Sequence, residues 1–450
     1  MSATRETFSS RLGFILAAAG AAVGLGNIWG FPTQAAQNGG GAFVLMYLLM
    51  IAVVAFPMLV MELAIGRYGQ ANPVDAMAKL ATTPMGKVAG RVVGCIGLSV
   101  PSAVLTFYSI VGGMLIALMF SALASIFHLN ELSALLASNV LSVSLVCTGI
   151  FYLLTILIVQ AGVKDGIERW STRLMPMLFV LFGLMFIYIL TLDGAMQGLK
   201  HYLIPDFSKI FDPKLMLAAM GQGFFSLTIG GCSMVIYGSY LSKKENLAAM
   251  GLSVTIVDSA VAFIAGLVII PAMFVAMKQG VTIYDAQGQL IDSGALVFGV
   301  MPAMFTNLGA AGPYLAFIFF GLLIIAALTS SISMLEGPVA LAAERTHFGR
   351  GVLSWFFGIV LALCSVGIIV SGGKVFDFVA TAATQYLQPV SALLFCLFGA
   401  WVWHRNQRFA ELKSGFPELE KSLFGRIWPW YVRFVCPVLV SLVLYSAITA

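Results

Sequence analysis

Between Gly20 and Pro32 the chain reads Gly-Ala-Ala-Val-Gly-Leu-Gly-Asn-Ile-Trp-Gly-Phe-Pro, within a strongly apolar segment that begins at Leu12. Repeated glycines and a closing proline make an unbroken helix unfavourable there. A helix that comes apart in hydrocarbon leaves N–H and C=O groups unpaired, and these persist only where protein, water or a ligand satisfies them. The stretch is therefore a candidate site for something small and charged. A second stretch has the same character: Ser226-Leu227-Thr228-Ile229-Gly230-Gly231-Cys232-Ser233, small and glycine-bearing within apolar surroundings. Half-helix N-termini at two such breaks would aim N–H groups at a carboxylate, while freed carbonyls would face a cation. Asp258 adds a charge of its own. An ionised carboxylate at mid-membrane costs at least about 2.5 kcal/mol unless a cation or donor compensates it, and no lysine or arginine lies in the apolar cores to do so.

These residues need membrane spans to hold them, and the composition supplies them. Of 450 residues, 60% are hydrophobic and 10% charged, with a mean hydropathy of +0.98. Apolar runs of about twenty residues, long enough to cross roughly 30 Å of hydrocarbon, recur from end to end. The reading is a polytopic all-α membrane protein with about eleven spans, near 12–37, 41–66, 92–127, 139–160, 166–192, 215–241, 247–277, 313–343, 351–371, 375–404 and 428–448. The first run lacks a small-residue cleavage pattern and leads directly into the second span, so it is expected to stay in the mature protein. Most of the 24 Lys and Arg residues fall on one side if the N-terminus is cytoplasmic, which sets that orientation. Without a Pro/Ser linker or low-complexity tract, residues 1–450 read as one transmembrane domain. The two longer outer connections, near 193–214 and 278–312, have the composition to cover an entrance.

The formal charge of +5 does not indicate nucleic acid, because the basic residues are scattered singly without interleaved aromatics. All six cysteines lie in apolar segments without metal-ligand spacing and read as small buried hydrophobes, so neither disulfide nor zinc is expected. There is no Asn-x-Ser/Thr sequon, which accords with a bacterial inner membrane. The two glycine-interrupted stretches lie in spans one and six. That odd offset runs them in opposite directions through the membrane, an inverted repeat of about 12–192 and about 215–404 with an extra helix near 428–448. Paired interruptions of this kind point to a transporter's central site, a rule drawn from transporters built this way.

Several motifs are more specific. Gly24-Leu25-Gly26-Asn27-Ile28-Trp29 with Phe31-Pro32, then Asn38-Gly39-Gly40-Gly41-Ala42-Phe43, then Glu62 with Gly66-Arg67, resemble the signature of the neurotransmitter:sodium symporter family, in its bacterial amino-acid transporter branch. Tyr108, Phe224-Phe225-Ser226-Leu227 and Thr329-Ser330-Ser331 extend the resemblance over essentially the whole chain. It implies the five-plus-five inverted-repeat fold of the bacterial leucine transporter, with helices one and six broken, and sodium-driven amino-acid uptake by alternating access.

By the same resemblance, one sodium ion would be held by the Ala22 carbonyl, Asn27, Ser226, Asp258 and the substrate carboxylate. A second would take the carbonyls of Gly20, Val23 and Ala326 and the hydroxyls of Thr329 and Ser330. A hard alkali cation wants such oxygen ligands, and backbone carbonyls are free only where a helix is unwound. Thr329 and Ser330 also have an ordinary alternative, bonding back to their own helix or gluing two helices. The substrate pocket would be lined by Ala22, Leu25, Gly26, Val104, Tyr108, Phe225, Thr228, Gly231, Ser330 and Met334. Tyr108 would bond the substrate carboxylate and, with Phe225, close the pocket from outside.

Departures from the family pattern bear on the ligand. Gly24 stands where monoamine transporters place an aspartate, which implies a free amino acid. Gly231 replaces a bulky aromatic of the leucine transporter, and losing a ring opens room on the order of a hundred Å³. A large hydrophobic or aromatic amino acid is expected. Asp258 brings negative charge to the region where chloride-dependent relatives hold an anion near the equivalents of Tyr47, Gln222 and Ser226, so chloride is not expected to be required. The outer-gate arginine is replaced by Gly30 while its acidic partner remains as Asp377. Either Lys374 or water compensates Asp377, or it recognises a cationic substrate group, which keeps a carrier of basic amino acids as an alternative. On the cytoplasmic side Arg5 and Glu344 match a gate pair near Tyr240, and Gly166 with Pro176 resembles the motif that lets span five unwind. Glu336 is expected to be protonated or bonded to backbone, without a transport role. A channel would need repeated selectivity rings. An enzyme would need a catalytic cluster, and the four histidines are dispersed with no His-Glu-x-x-His. A non-transporting amino-acid sensor is the remaining reading; no organic cofactor is implied by any of these.

Overall fold

The computed structural model describes residues 6–138, 140–284, 290 and 296–449. Among them, nine continuous helices are long and apolar enough to span a bilayer, and one further pair passes only when its two bent halves are taken together. In chain order the elements that matter here are α1 (Arg11–Ala22), α2 (Gly26–Gln37), α3 (Gly41–Gly69), the short α4 (Pro73–Lys79), α5 (Pro84–Ile126), α6 (Leu141–Val159) and α7 (Val163–Leu190). There follow α8 (Ala195–Leu203), α9 (Pro213–Ser226), α10 (Ser233–Ser239), α11 (Leu247–Lys278), α12 (Gly309–Arg345), α13 (Arg350–Ser371), α14 (Gly373–Val402), α15 (Arg405–Ser414) and α16 (Leu423–Ile448).

Local sequence sets where these helices start. Ser10 and Asn246 accept hydrogen bonds from Gly13 N–H and Ala249 N–H, capping α1 and α11, while Asn72-Pro73 and Asp212-Pro213 each pair a capping side chain with a first-turn proline. The outer connection near 193–214 contains α8, and the one near 278–312 contains a helix at Met301–Asn307.

Both expected breaks are present, but they differ in extent. α1 and α2 meet at an angle of 61°, and only Val23 and Gly24 lie outside helix. Most of the stretch to Pro32 is thus wound, with a π-helical turn over Gly26–Gly30 running directly into Phe31 and Pro32 of the same helix. The second break is wider. Leu227 to Cys232 separate α9 from α10, with Thr228, Gly230 and Cys232 in left-handed conformations at φ of 50°, 85° and 59°. Span five begins on a π-turn, Val163–Glu168, and continues as helix through Pro176, so the Gly166–Pro176 segment is wound rather than open.

Tight packing of α3 on α10 fixes the lower half of the second broken helix. A Cβ added at Gly66 would lie 2.0 Å from the Val235 carbonyl oxygen, and one at Gly238 would lie 2.5 Å from that of Leu63. Only glycine permits this backbone approach, the usual device where lipid offers no hydrophobic drive for helix association.

Candidate functional site

The two breaks face one cavity of about 350 Å³. Ala22, Leu25 and Gly26 border it from the first, and Phe225, Thr228 and Gly231 from the second. Val104 and Tyr108 on α5 and Ser330 and Met334 on α12 complete the wall, so every residue expected in the substrate pocket lines it. Asn27 does so too.

Tyr108 Oη accepts a hydrogen bond from Leu25 N–H at 3.2 Å, which satisfies one N–H freed at the break. Gly24 lies against two hydroxyls: an added Cβ would stand 2.7 Å from Ser330 Oγ and 2.8 Å from Tyr108 Oη. No acidic side chain fits there. Phe225 is 36% exposed, so the Tyr108–Phe225 closure expected from the sequence leaves the cavity unsealed on that side. The cavity continues past Trp29 and Gly30 to Gln34 on α2 and to Phe376 and Ala380 on α14.

Behind the first break sits the cluster expected to hold one cation. Asn27 Nδ2 donates to Asp258 Oδ1 at 2.7 Å and to Ser226 Oγ at 2.8 Å, and Ser226 Oγ donates to Asp258 Oδ2 at 2.7 Å. Tyr47 Oη lies 3.0 Å from Ser226 Oγ. Asp258 is fully buried, and among the described residues no lysine or arginine pairs with it. Gln222 turns elsewhere, donating to the Gly26 carbonyl at 2.7 Å.

The second cation set also converges. Ser330 Oγ donates across the molecule to the Val23 carbonyl at 2.8 Å and that of Gly20 at 3.3 Å, whereas Thr329 Oγ1 bonds back to Ala326 O at 2.9 Å. The hydrogen bonds present are those of the ordinary reading, back-bonding by Thr329 and glue between α1 and α12 by Ser330, made from the oxygens that the family resemblance assigns to an ion.

The sequence matches the sodium:neurotransmitter symporter family over residues 5–138 and 127–450. The chain belongs to that family. It is similar to the sodium-dependent transporter YhdH of Bacillus subtilis, at 36% identity over 98% of this chain and 97% of the relative. A taurine transporter of the dog, described as sodium- and chloride-dependent, is 26% identical over 89% of this chain and 72% of its own. The solved structure of MhsT in complex with L-phenylalanine superposes with a TM-score of 0.81 at 35% identity, covering 99% of this chain and all of that one. The protein is thus a multi-pass sodium-dependent transporter with the broken-helix fold of the leucine transporter, and not an enzyme.

The family's gate positions are only partly brought together. Arg5 lies outside the described residues. Glu344 accepts hydrogen bonds from the Asn72 backbone N–H at 2.9 Å and its side chain at 2.8 Å, on the α4 side of the bundle. Nearby, burial works against ionisation of Asp75, yet hydrogen bonds from Arg345 and Asn72 hold its carboxyl below the usual range. Tyr240 donates to Glu336 at 2.6 Å, and Glu336 also takes the Arg350 guanidinium from α13. Glu336 is therefore paired with an arginine rather than bonded to backbone, because α13 brings Arg350 to a point that linear spacing does not reveal. Asp377 is exposed and does not line the cavity, and Lys374 beside it is exposed as well.

Sequence reasoning noted Glu62 only as part of a motif, without its role in pinning the second break, and missed its companions Gln388 and Ser391. Glu62 Oε1 accepts the Gly230 N–H at 2.7 Å, Gln388 Nε2 donates to the Ile229 carbonyl at 3.1 Å, and Ser391 Oγ donates to the Gly230 carbonyl at 2.7 Å. The available signal was Gln388-Pro389 in the middle of a span, a polar residue where hydrocarbon tolerates few.

Proposed function

We propose that this protein is a sodium-coupled symporter that brings a large hydrophobic or aromatic amino acid into the cell across the bacterial inner membrane, with its N-terminus cytoplasmic. The observation that carries this reading is the meeting of both helix breaks at one cavity flanked by two oxygen-rich clusters. The phenylalanine named with MhsT supports the substrate class.

The substrate carboxylate lies at the first break, between the Leu25 and Gly26 N–H groups, the Tyr108 hydroxyl and a sodium ion. That ion takes the place of the Asn27 Nδ2 hydrogens between Asp258 and Ser226, so the Asn27 amide turns over to present its oxygen. Asp258 supplies the negative charge that balances the ion, which makes chloride unnecessary. The second sodium would be held by the Gly20 and Val23 carbonyls and the Ser330 hydroxyl oxygen, whose O–H keeps its proton and turns away from the carbonyls it bonds here. The ion would strengthen a tie that the Ser330 hydrogen bonds already make without it, so its departure weakens the docking of α1 and favours the swing that opens the inner end.

That inner end is held shut by groups the chain supplies before α1. Phe8 packs edge-on against Phe14, Tyr237 and Tyr240 at ring distances of 5.4, 5.7 and 6.2 Å. Ser9 donates from both its N–H and hydroxyl to Glu168 on α7, at 2.8 and 2.6 Å. Closure on one side and an unsealed cavity on the other is the arrangement alternating access requires of its outward-facing state.

The test is binding of each of the twenty amino acids to purified protein with and without sodium, followed by uptake into proteoliposomes. Saturable, sodium-dependent binding led by phenylalanine, tryptophan, tyrosine or leucine is expected. Failure of all four to bind would overturn the substrate class, and binding without transport would favour a sensor.

A further inference from the structure

Given an aromatic amino-acid substrate as proposed above, we infer that Gln388 is a specificity-determining residue, whose side-chain oxygen accepts a hydrogen bond from the polar edge of the substrate side chain: the indole N–H of tryptophan or the phenol O–H of tyrosine. Gln388 is 4% exposed and lines the cavity. Its Nε2 is committed to the Ile229 carbonyl, which the second break leaves free. That bond fixes which end of the amide faces the break. The remaining end, Oε1, accepts no hydrogen bond among the described residues. That oxygen opens onto the cavity rather than being shut away from it, so a substrate N–H or O–H that reaches it takes the place of water.

The position suits this role. Ile229 precedes Gly231 by two residues, and a Cβ on Gly230 would lie 2.5 Å from the backbone oxygen of Gln388. Gln388 therefore lies near Gly231, where an added Cβ would meet only Thr228, its carbonyl oxygen tightly at 3.0 Å and its Cβ at 3.8 Å. Two hydroxyls near this end are already spending their protons on protein: Ser333 donates to the Ser330 carbonyl at 2.8 Å, and Ser233 faces Ser333 at 3.4 Å. An amide oxygen accepts from neutral and charged donors alike, but it carries no negative charge to compensate the desolvated cation of a lysine or arginine substrate. Sites built to bond a substrate N–H or O–H reject the analogue lacking it far more strongly than apolar walls reject a change of size.

The experiment displaces labelled phenylalanine from purified protein in sodium buffer with tryptophan and with 3-benzothienylalanine, which keeps the bicyclic shape but has sulfur in place of the indole N–H. Wild-type protein should bind tryptophan about tenfold more tightly or better. In Gln388→Met that ratio should fall to about one, and in Gln388→Glu, which keeps an acceptor oxygen, the preference should survive. A residue that only pins the break would lower both affinities together and leave the ratio intact, and that result would overturn the assignment. So would a wild-type protein that does not distinguish the two ligands, a comparison independent of whether any variant folds. If phenylalanine itself does not bind in sodium, it is the substrate class that fails instead.

Discussion

Gly24→Ala places one methyl group where the two halves of the proposed mechanism touch. Its Cβ would lie 2.7 Å from Ser330 Oγ and 2.8 Å from Tyr108 Oη, distances that real Cβ atoms essentially never show. Both hydroxyls must move. The Ser330 bond to the Val23 carbonyl at 2.8 Å and the Leu25 N–H bond to Tyr108 at 3.2 Å are then strained or lost. At about 0.5–1.5 kcal/mol net for each hydrogen bond, the change costs roughly 1–3 kcal/mol, or about 5- to 150-fold in an equilibrium constant. Because the proposal places Ser330 in the second sodium set and Tyr108 at the carboxylate, sodium and substrate affinities should fall together. A sodium titration of labelled phenylalanine binding, and a phenylalanine titration at saturating sodium, read the two separately. If the variant folds and both titrations are unchanged, neither hydroxyl takes part in binding as argued, and the assignment of the carboxylate site and second sodium set fails.

Three further outcomes follow from the same geometry. Gly231→Phe should refill the opening beside Thr228, cutting phenylalanine affinity by about tenfold or more while favouring alanine in competition assays; unchanged ranking of the two would remove Gly231 as the source of room. Replacing chloride by gluconate should leave wild-type uptake intact, whereas Asp258→Asn should raise the sodium concentration needed for half-maximal uptake; collapse of wild-type uptake in gluconate would refute charge supply by Asp258. Arg350→Met should lower the melting temperature in detergent, because removing one partner of a buried ion pair costs about 3–5 kcal/mol, and adding Glu336→Gln should recover most of the loss; a neutral single exchange would mean Glu336 is not ionised beside it.

What could be read from the chain, and what could not, divides along a physical line. Glycine, proline and apolar periodicity act over a turn or two, so they announced both broken helices, and Leu227 to Cys232 opened where Ser226–Ser233 predicted. The first break proved narrower because its backbone finds partners that lie far away in sequence. Gln222 takes the Gly26 carbonyl, Tyr108 takes the Leu25 N–H and Ser330 takes Val23, so only two residues need leave the helix. The misses share that cause. Arg350 reaching Glu336, and Gln388 and Ser391 holding the second break, are encounters between spans, for which one sequence carries no distance information. Asp377 shows the converse: its residue type suggested a gate or a cationic substrate, yet it is exposed and off the cavity wall while its neighbours Phe376 and Ala380 line it. One residue's offset on a helix rotates a side chain by about 100°, enough to turn a recognition group into a solvated one. Among the residues lining the cavity the polar groups beside Gly231 are neutral, Gln388, Thr228, Ser233 and Ser333, and none of them supplies the negative charge a basic side chain would need, which supports the proposed aromatic substrate over a basic one.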